Sequence, residues 1–150
     1  MNPLRSSLLA LAAFALAVRA ENLIPNGSFE EGAEAPSSWG APNSEKGIAY
    51  PVEDGNRFAR IHSDGGTAML YREFNIPDGA EALRLSWRWR VTGLKKGAQP
   101  WFDARIMMEF MDGNRGKVGG APGAPNRGKD TDGWETREIS FLVPAEARIL

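Results

Sequence analysis

The stretch LRLSWRWRV, Leu83 to Val91, restricts what this chain can fold into more than any other. Its odd positions Leu83, Leu85, Trp87, Trp89 and Val91 are apolar, and its even positions Arg84, Ser86, Arg88 and Arg90 are polar. Successive side chains on a strand point to opposite faces, so this period of two marks a β-strand with one covered face and one wet face. A helix would scatter the same residues around its circumference. Burying a tryptophan removes roughly 150–250 Å² from water. At about 25 cal/mol per Å² that is several kcal/mol as an upper bound. Trp87 and Trp89 are therefore expected on the inside of the fold, with the arginines outside.

The rest of the chain has the same character. Ile48–Val52 reads as a strand, Glu53-Asp54-Gly55-Asn56 as a turn, and Arg57–His62 alternates with Ala59 and Ile61 on one side. Ser63-Asp64-Gly65-Gly66 and Pro77-Asp78-Gly79 are further turns, flanking a segment whose Ala68, Leu70, Phe74 and Ile76 share a parity. Asp103–Met111 places Ala104, Ile106, Met108 and Phe110 on one side, and Thr136–Val143 turns Ile139, Phe141 and Val143 inward. Trp134, just after a turn, reads as a core plug. The stretch Asp112–Asp132 reads as a long glycine- and proline-rich loop, functional or mobile. Short strands between regular turns, with no helical period, predict an all-β antiparallel sandwich or barrel.

The first twenty residues are of another kind. MNPLR is a short positive start, SSLLALAAFALAV an apolar run, and Val18-Arg19-Ala20 a small-residue end. This is the pattern of a secretory signal peptide, too short for a membrane span. The reading gives a signal peptide at 1–20, one domain at 21–150, a secreted or periplasmic location and no stable membrane insertion. A net charge of -1 argues against a nucleic-acid partner. With no cysteine, the domain has no disulfide and depends on its core or on a metal held by oxygens. At the other end, Ala147–Leu150 begins an apolar alternation that stops at once, so the sandwich is expected to lack its closing strand and to leave an open edge.

Familiar catalytic patterns are not met. His62 is the only histidine, and Ser63 and Asp64 are its sequence neighbours, which is no geometry for a triad. GAPNRGKD, Gly123–Asp130, copies a phosphate-loop spacing but has Asp130 where Ser or Thr should hold magnesium. Glu30, Glu31, Asp103 and Glu109 offer carboxylates, but nothing in their spacing sets two across a cleft as glycoside hydrolysis requires. Asn26-Gly27-Ser28 fits a glycosylation acceptor, a common tripeptide that here falls in a structured segment.

The segment NLIPNGSFEEG resembles the leading strand of secreted carbohydrate-binding modules with a galactose-binding-like jelly-roll fold, families four/nine and twenty-two. DGNRFARI, LRLSWRWRV, TDGW and FLVPAEA follow in the matching order. The resemblance implies a non-catalytic module that holds a polysaccharide and serves an attached or partner glycoside hydrolase. It also implies a structural calcium near the leading strand, with Glu30 the side chain best matched to a ligand. Backbone oxygens, and a C-terminal acid missing here, would complete that shell.

Trp101, in the loop after Lys95-Lys96-Gly97-Ala98-Gln99-Pro100, lies outside any apolar alternation and suits stacking on the C–H face of a sugar ring. Arg88, Arg90, Arg105 and Glu109 are the hydrogen-bonding candidates, the arginines because a planar guanidinium offers several fixed donors. Arg88 and Arg90 are expected to meet Glu109 if its strand lies alongside, and Arg105 another acid. Two other readings fit the same residues. One is an N-terminal accessory β-domain of a glycoside hydrolase whose catalytic part lies beyond residue 150. The other is a structural or protein-interaction sandwich that binds no sugar.

Overall fold

The computed structural model describes residues 21–41 and 47–150; the segment read as a signal peptide lies outside them. Ten strands follow in chain order: β1 (Ile48–Ala49), β2 (Val52–Glu53), β3 (Asn56–Arg57), β4 (Arg60–Ile61) and β5 (Ala82–Trp89), then β6 (Ala104–Arg105), β7 (Phe110–Met111), β8 (Lys117–Val118), β9 (Asn126–Arg127) and β10 (Glu135–Leu142). They pair antiparallel in twos, β1 with β4, β2 with β3, β5 with β10, β6 with β9 and β7 with β8. The described residues contain no helix and are essentially all-β.

The β5–β10 ladder is the backbone of the structure. It runs from Glu135 opposite Trp89 to Leu142 opposite Ala82. Burial along β5 alternates residue by residue, with Leu83, Leu85, Trp87 and Trp89 partly covered and Arg84, Ser86 and Arg88 exposed. The same side carries Phe141 opposite Leu83 and Ile139 opposite Leu85, so apolar meets apolar across the ladder. The expected meeting of Arg88 and Arg90 with Glu109 does not occur: Arg90 holds Glu53, Arg88 lies over Trp134, and Glu109 pairs with Lys117. The segment that holds Glu109 does not lie beside β5. Ile106 N–H still reaches Pro125 O at 2.9 Å next to β9, but the chain then leaves that ribbon and pairs again with β8 and with Ile149.

Turn chemistry explains the shorter ribbons. Asp54 and Gly55 have φ of 52° and 77°, the paired positive values of the two-residue turn that suits a hairpin, and they join β2 to β3. Asp112 caps the turn from β7 to β8, its Oδ1 accepting from Asn114 N–H and Gly116 N–H, both at 2.8 Å. The stretch Asp112–Asp132, expected to be one loop, thus contains β8 and β9.

The core gathers Ile76, Phe110 and Ala147, with Leu83, Val118, Phe141, Val143 and Leu150 packed on it. Phe110 is fully buried and its ring lies 6.1 Å from that of Phe141. Ala147–Leu150 does not form an open edge. Its backbone bonds Phe74 and Ile76 on one side and Met111 on the other, as in Ile76 N–H to Arg148 O at 2.8 Å and Met111 N–H to Ile149 O at 2.9 Å.

Candidate functional site

The loop that carries Trp101 is anchored at both ends. At its start, Asp130 accepts the backbone N–H of Leu94 and of Gly93, each at 2.7 Å. Those two bonds, Leu94 first, hold its carboxyl below the ordinary range. At its end, Gly97 N–H bonds Phe102 O at 3.0 Å, and Arg105 donates Nε to Asp103 Oδ1 at 2.6 Å. The Asp103 side chain is only 3% exposed, so this pair is sheltered from water on its acid side. On that base Trp101 is 56% exposed, edge-on to Phe102 at 6.2 Å. The sequence expectation of a loop tryptophan outside the core is met in position. Arg105, expected to meet an acid, meets Asp103.

Arg105 also connects this loop to a cleft. On the β6–β9 ribbon it stands opposite Asn126, and Ala104 opposite Arg127. Asn126, Arg127 and Pro125 then line a shallow, open cleft of about 270 Å³ together with Trp87, Trp89, Arg137 and Glu138. The two indoles lie edge to face at 5.6 Å, and Arg127 sits over the Trp89 ring at 5.9 Å. Glu135 pairs with Arg127 and also accepts Arg137 Nη2 at 2.9 Å. The indole Nε1 atoms of both tryptophans are buried without a hydrogen-bond partner. Trp87 and Trp89 were expected inside; they share the face of Leu83 and Leu85 but are half-buried. The reason lies on β10, where the apolar Phe141 and Ile139 give way to Arg137 and Glu135 opposite the tryptophans. The covered face of the ladder thus changes from core to charged cleft along its length.

The arginine face carries a separate cluster. Arg90 donates both terminal nitrogens to Glu53, and its guanidinium lies 4.8 Å from the Trp134 ring centre. Arg88 lies over the same ring at 5.5 Å, and Phe58 meets it edge-on at 5.0 Å. Trp134 is therefore not a core plug. One residue before β10, it continues the parity of Thr136 and Glu138 on the outer face, where Arg88 and Arg90 cover it. Glu109 pairs with Lys117, in an exposed position apart from this cluster.

Glu30 has a different surrounding from the one a calcium site needs. Its Oε1 accepts Arg57 N–H at 2.8 Å, and the Arg57 guanidinium bonds the carbonyls of Gly32, Ala33 and Glu34. Calcium takes six to eight oxygens. Here the neighbouring oxygens already face a positive charge, so they do not fit a calcium ion in this arrangement. Among the described residues no three of His, Cys, Asp and Glu converge as a metal cluster.

The fold thus sets Arg105 against the Trp101 loop at Asp103 and Pro100 and puts Arg88 beside Arg90 over Trp134, while Glu109 and Glu30 stand apart from both groups. Sequence reading missed the partners Glu53, Arg127, Glu135 and Arg137. The parity of Arg137 and Glu135 with Ile139 was the available signal for two of them. No protein-family model matches the sequence, and neither does any curated protein or solved structure. Among the described residues no helix is long and apolar enough to cross a membrane.

Proposed function

We propose that this chain is a non-catalytic module that binds an extracellular polysaccharide, built on a β-sandwich of the jelly-roll, galactose-binding-like type. The observation that carries the reading is Trp101, more than half exposed on a loop fastened by Asp130 below and by Arg105–Asp103 behind. An exposed indole costs little to desolvate against the C–H face of a pyranose, and an anchored loop loses little entropy on binding. The cleft of Trp87 and Trp89, reached along the β6–β9 ribbon, offers a second aromatic surface walled by guanidinium and amide donors. Such a mix of apolar floor and few polar groups suits a sugar chain.

The carboxylates nearest these surfaces support a binding role. Asp103, Glu135 and Glu53 are each engaged by arginine, which leaves Glu138 as the acid lining the tryptophan surface. Arg88 and Arg90 form a second hydrogen-bonding face over Trp134. The module works by proximity, raising the effective concentration of an attached or partner glycoside hydrolase on its substrate. The test is affinity gel electrophoresis of the protein against soluble glucans, xylans, mannans and galactans. Retardation by one class, lost in Trp101→Ala, supports the reading. An unretarded sharp band on every gel defeats it in favour of a sandwich that binds no sugar.

A further inference from the structure

The carbonyls of Gly32, Ala33 and Glu34 turn toward one point, and a side chain fills it. Arg57 Nη1 donates to Gly32 O at 2.6 Å, and Nη2 donates to Ala33 O and Glu34 O, both at 3.1 Å. Three consecutive carbonyls do not converge in a strand or a helix. Their convergence here depends on Gly32, whose φ of 105° belongs to the region that favours glycine. A β-carbon there would stand 2.3 Å from Ala35 O. The loop is further closed by Asn26, whose Nδ2 donates to Glu31 O at 2.9 Å and to Ser37 O at 3.1 Å, and by Ser37 N–H to Glu31 O at 2.9 Å. The result is a concavity of carbonyl oxygens around the guanidinium, while the Glu30 carboxylate accepts the backbone N–H at the other end of the same residue.

We infer that Gly32–Glu34 is a cation-binding nest whose resident cation is the Arg57 guanidinium, and that removing this guanidinium opens the nest to a divalent, oxygen-seeking ion. The charge and the fixed fork of arginine match three carbonyls that a neutral side chain would satisfy less well. Glu30 does not depend on the guanidinium, because its contact is to the backbone N–H, which every non-proline residue at position 57 keeps. An emptied nest therefore retains three carbonyls, with the Glu30 carboxylate on the same loop within reach of a rotamer change and water for the remaining positions of a calcium shell. The wild-type loop, by the same logic, needs no metal. This inference stands on the loop alone and does not rest on sugar binding.

The experiment compares the wild-type protein with Arg57→Ala and Arg57→Gln by thermal unfolding in EDTA and in 10 mM calcium chloride. A terbium titration follows, read through Trp39, whose Nε1 is bonded to Asn26 O beside the loop. The wild type is expected to unfold at one temperature in both buffers and to show no saturable terbium emission. The variants are expected to lose stability in EDTA and to regain about 4 °C in calcium, as a millimolar site would give. Their terbium emission saturates. A wild type that loses stability in EDTA overturns the inference. So do variants without a calcium response, or variants that stay unfolded even in calcium.

Discussion

Arg90 grips Glu53 through both terminal nitrogens, Nη1 to Oε1 at 2.8 Å and Nη2 to Oε2 at 2.7 Å. The pair fastens the β2–β3 hairpin to the end of β5, and the same carboxylate oxygen Oε1 accepts Trp134 Nε1–H at 3.3 Å. Exposed ion pairs contribute little individually, but bidentate geometry over an aromatic ring narrows the arrangements available to the hairpin. Glu53→Gln keeps the shape and removes the charge. It should lower Tm by no more than about 2 °C at low salt. In 1 M sodium chloride, where exposed charges are screened, the difference from wild type should shrink. A difference that is unchanged by salt would mean that shape rather than charge fastens the hairpin.

Acid should undo two of these fastenings. The Glu53 carboxyl is held below its ordinary value of 4.5 by the Arg90 hydrogen bonds first and the Trp134 N–H second. Asp130 is held below its ordinary 3.8 by the N–H groups of Leu94 and Gly93. A carboxyl with a depressed folded pKa binds fewer protons folded than unfolded, so its stabilisation is complete above the ordinary value. It is lost as pH falls through the folded value. Asp130→Asn should therefore lower Tm at pH 6, with the gap from wild type closing as pH drops below about 4. A gap that persists undiminished into strong acid would show that Asp130 acts through shape, not charge.

Trp101→Ala should weaken polysaccharide affinity at least about tenfold, the equivalent of roughly 1.4 kcal/mol. Its Tm should stay that of the wild type, since more than half of the side chain is already in water. Electrophoresis with graded polysaccharide gives the affinity, and differential scanning fluorimetry the Tm. A parallel fall in both would make Trp101 a packing residue.

Phe110→Ala tests the core. Phe110 is fully buried against Phe141 and the segments around Ile76 and Ala147, so its truncation should cost about 3–5 kcal/mol. Urea unfolding measures that loss. A cost below about 1 kcal/mol would mean that the cluster does not organise the fold.

What the sequence disclosed follows from the range of each signal. The alternation in Leu83–Val91 is a local property, and it separated the two faces of β5 correctly, though not the half-buried depth at which Trp87 and Trp89 lie. The turn at Asp54-Gly55 was legible because two successive residues needed positive φ. Pairing was not legible. That β5 would choose β10, and Arg90 would choose Glu53, depends on segments tens of residues apart. Trp134 shows the cost of reading a residue without its strand. Its parity with Thr136 and Glu138 placed it outside, although its type suggested the core. Arg57 escaped notice because its partners are backbone carbonyls, which every sequence supplies equally.

The bonds that Ala147–Leu150 makes to both Phe74–Ile76 and Met111 carry a further consequence, one of timing. During synthesis, residues 74–76 wait for partners made more than seventy positions later, and β5 waits for β10. Contacts of such long sequence separation close slowly. Phe110 therefore stays uncovered until the segment around Ala147 has been made. For as long as it waits, that apolar surface is open to chaperones.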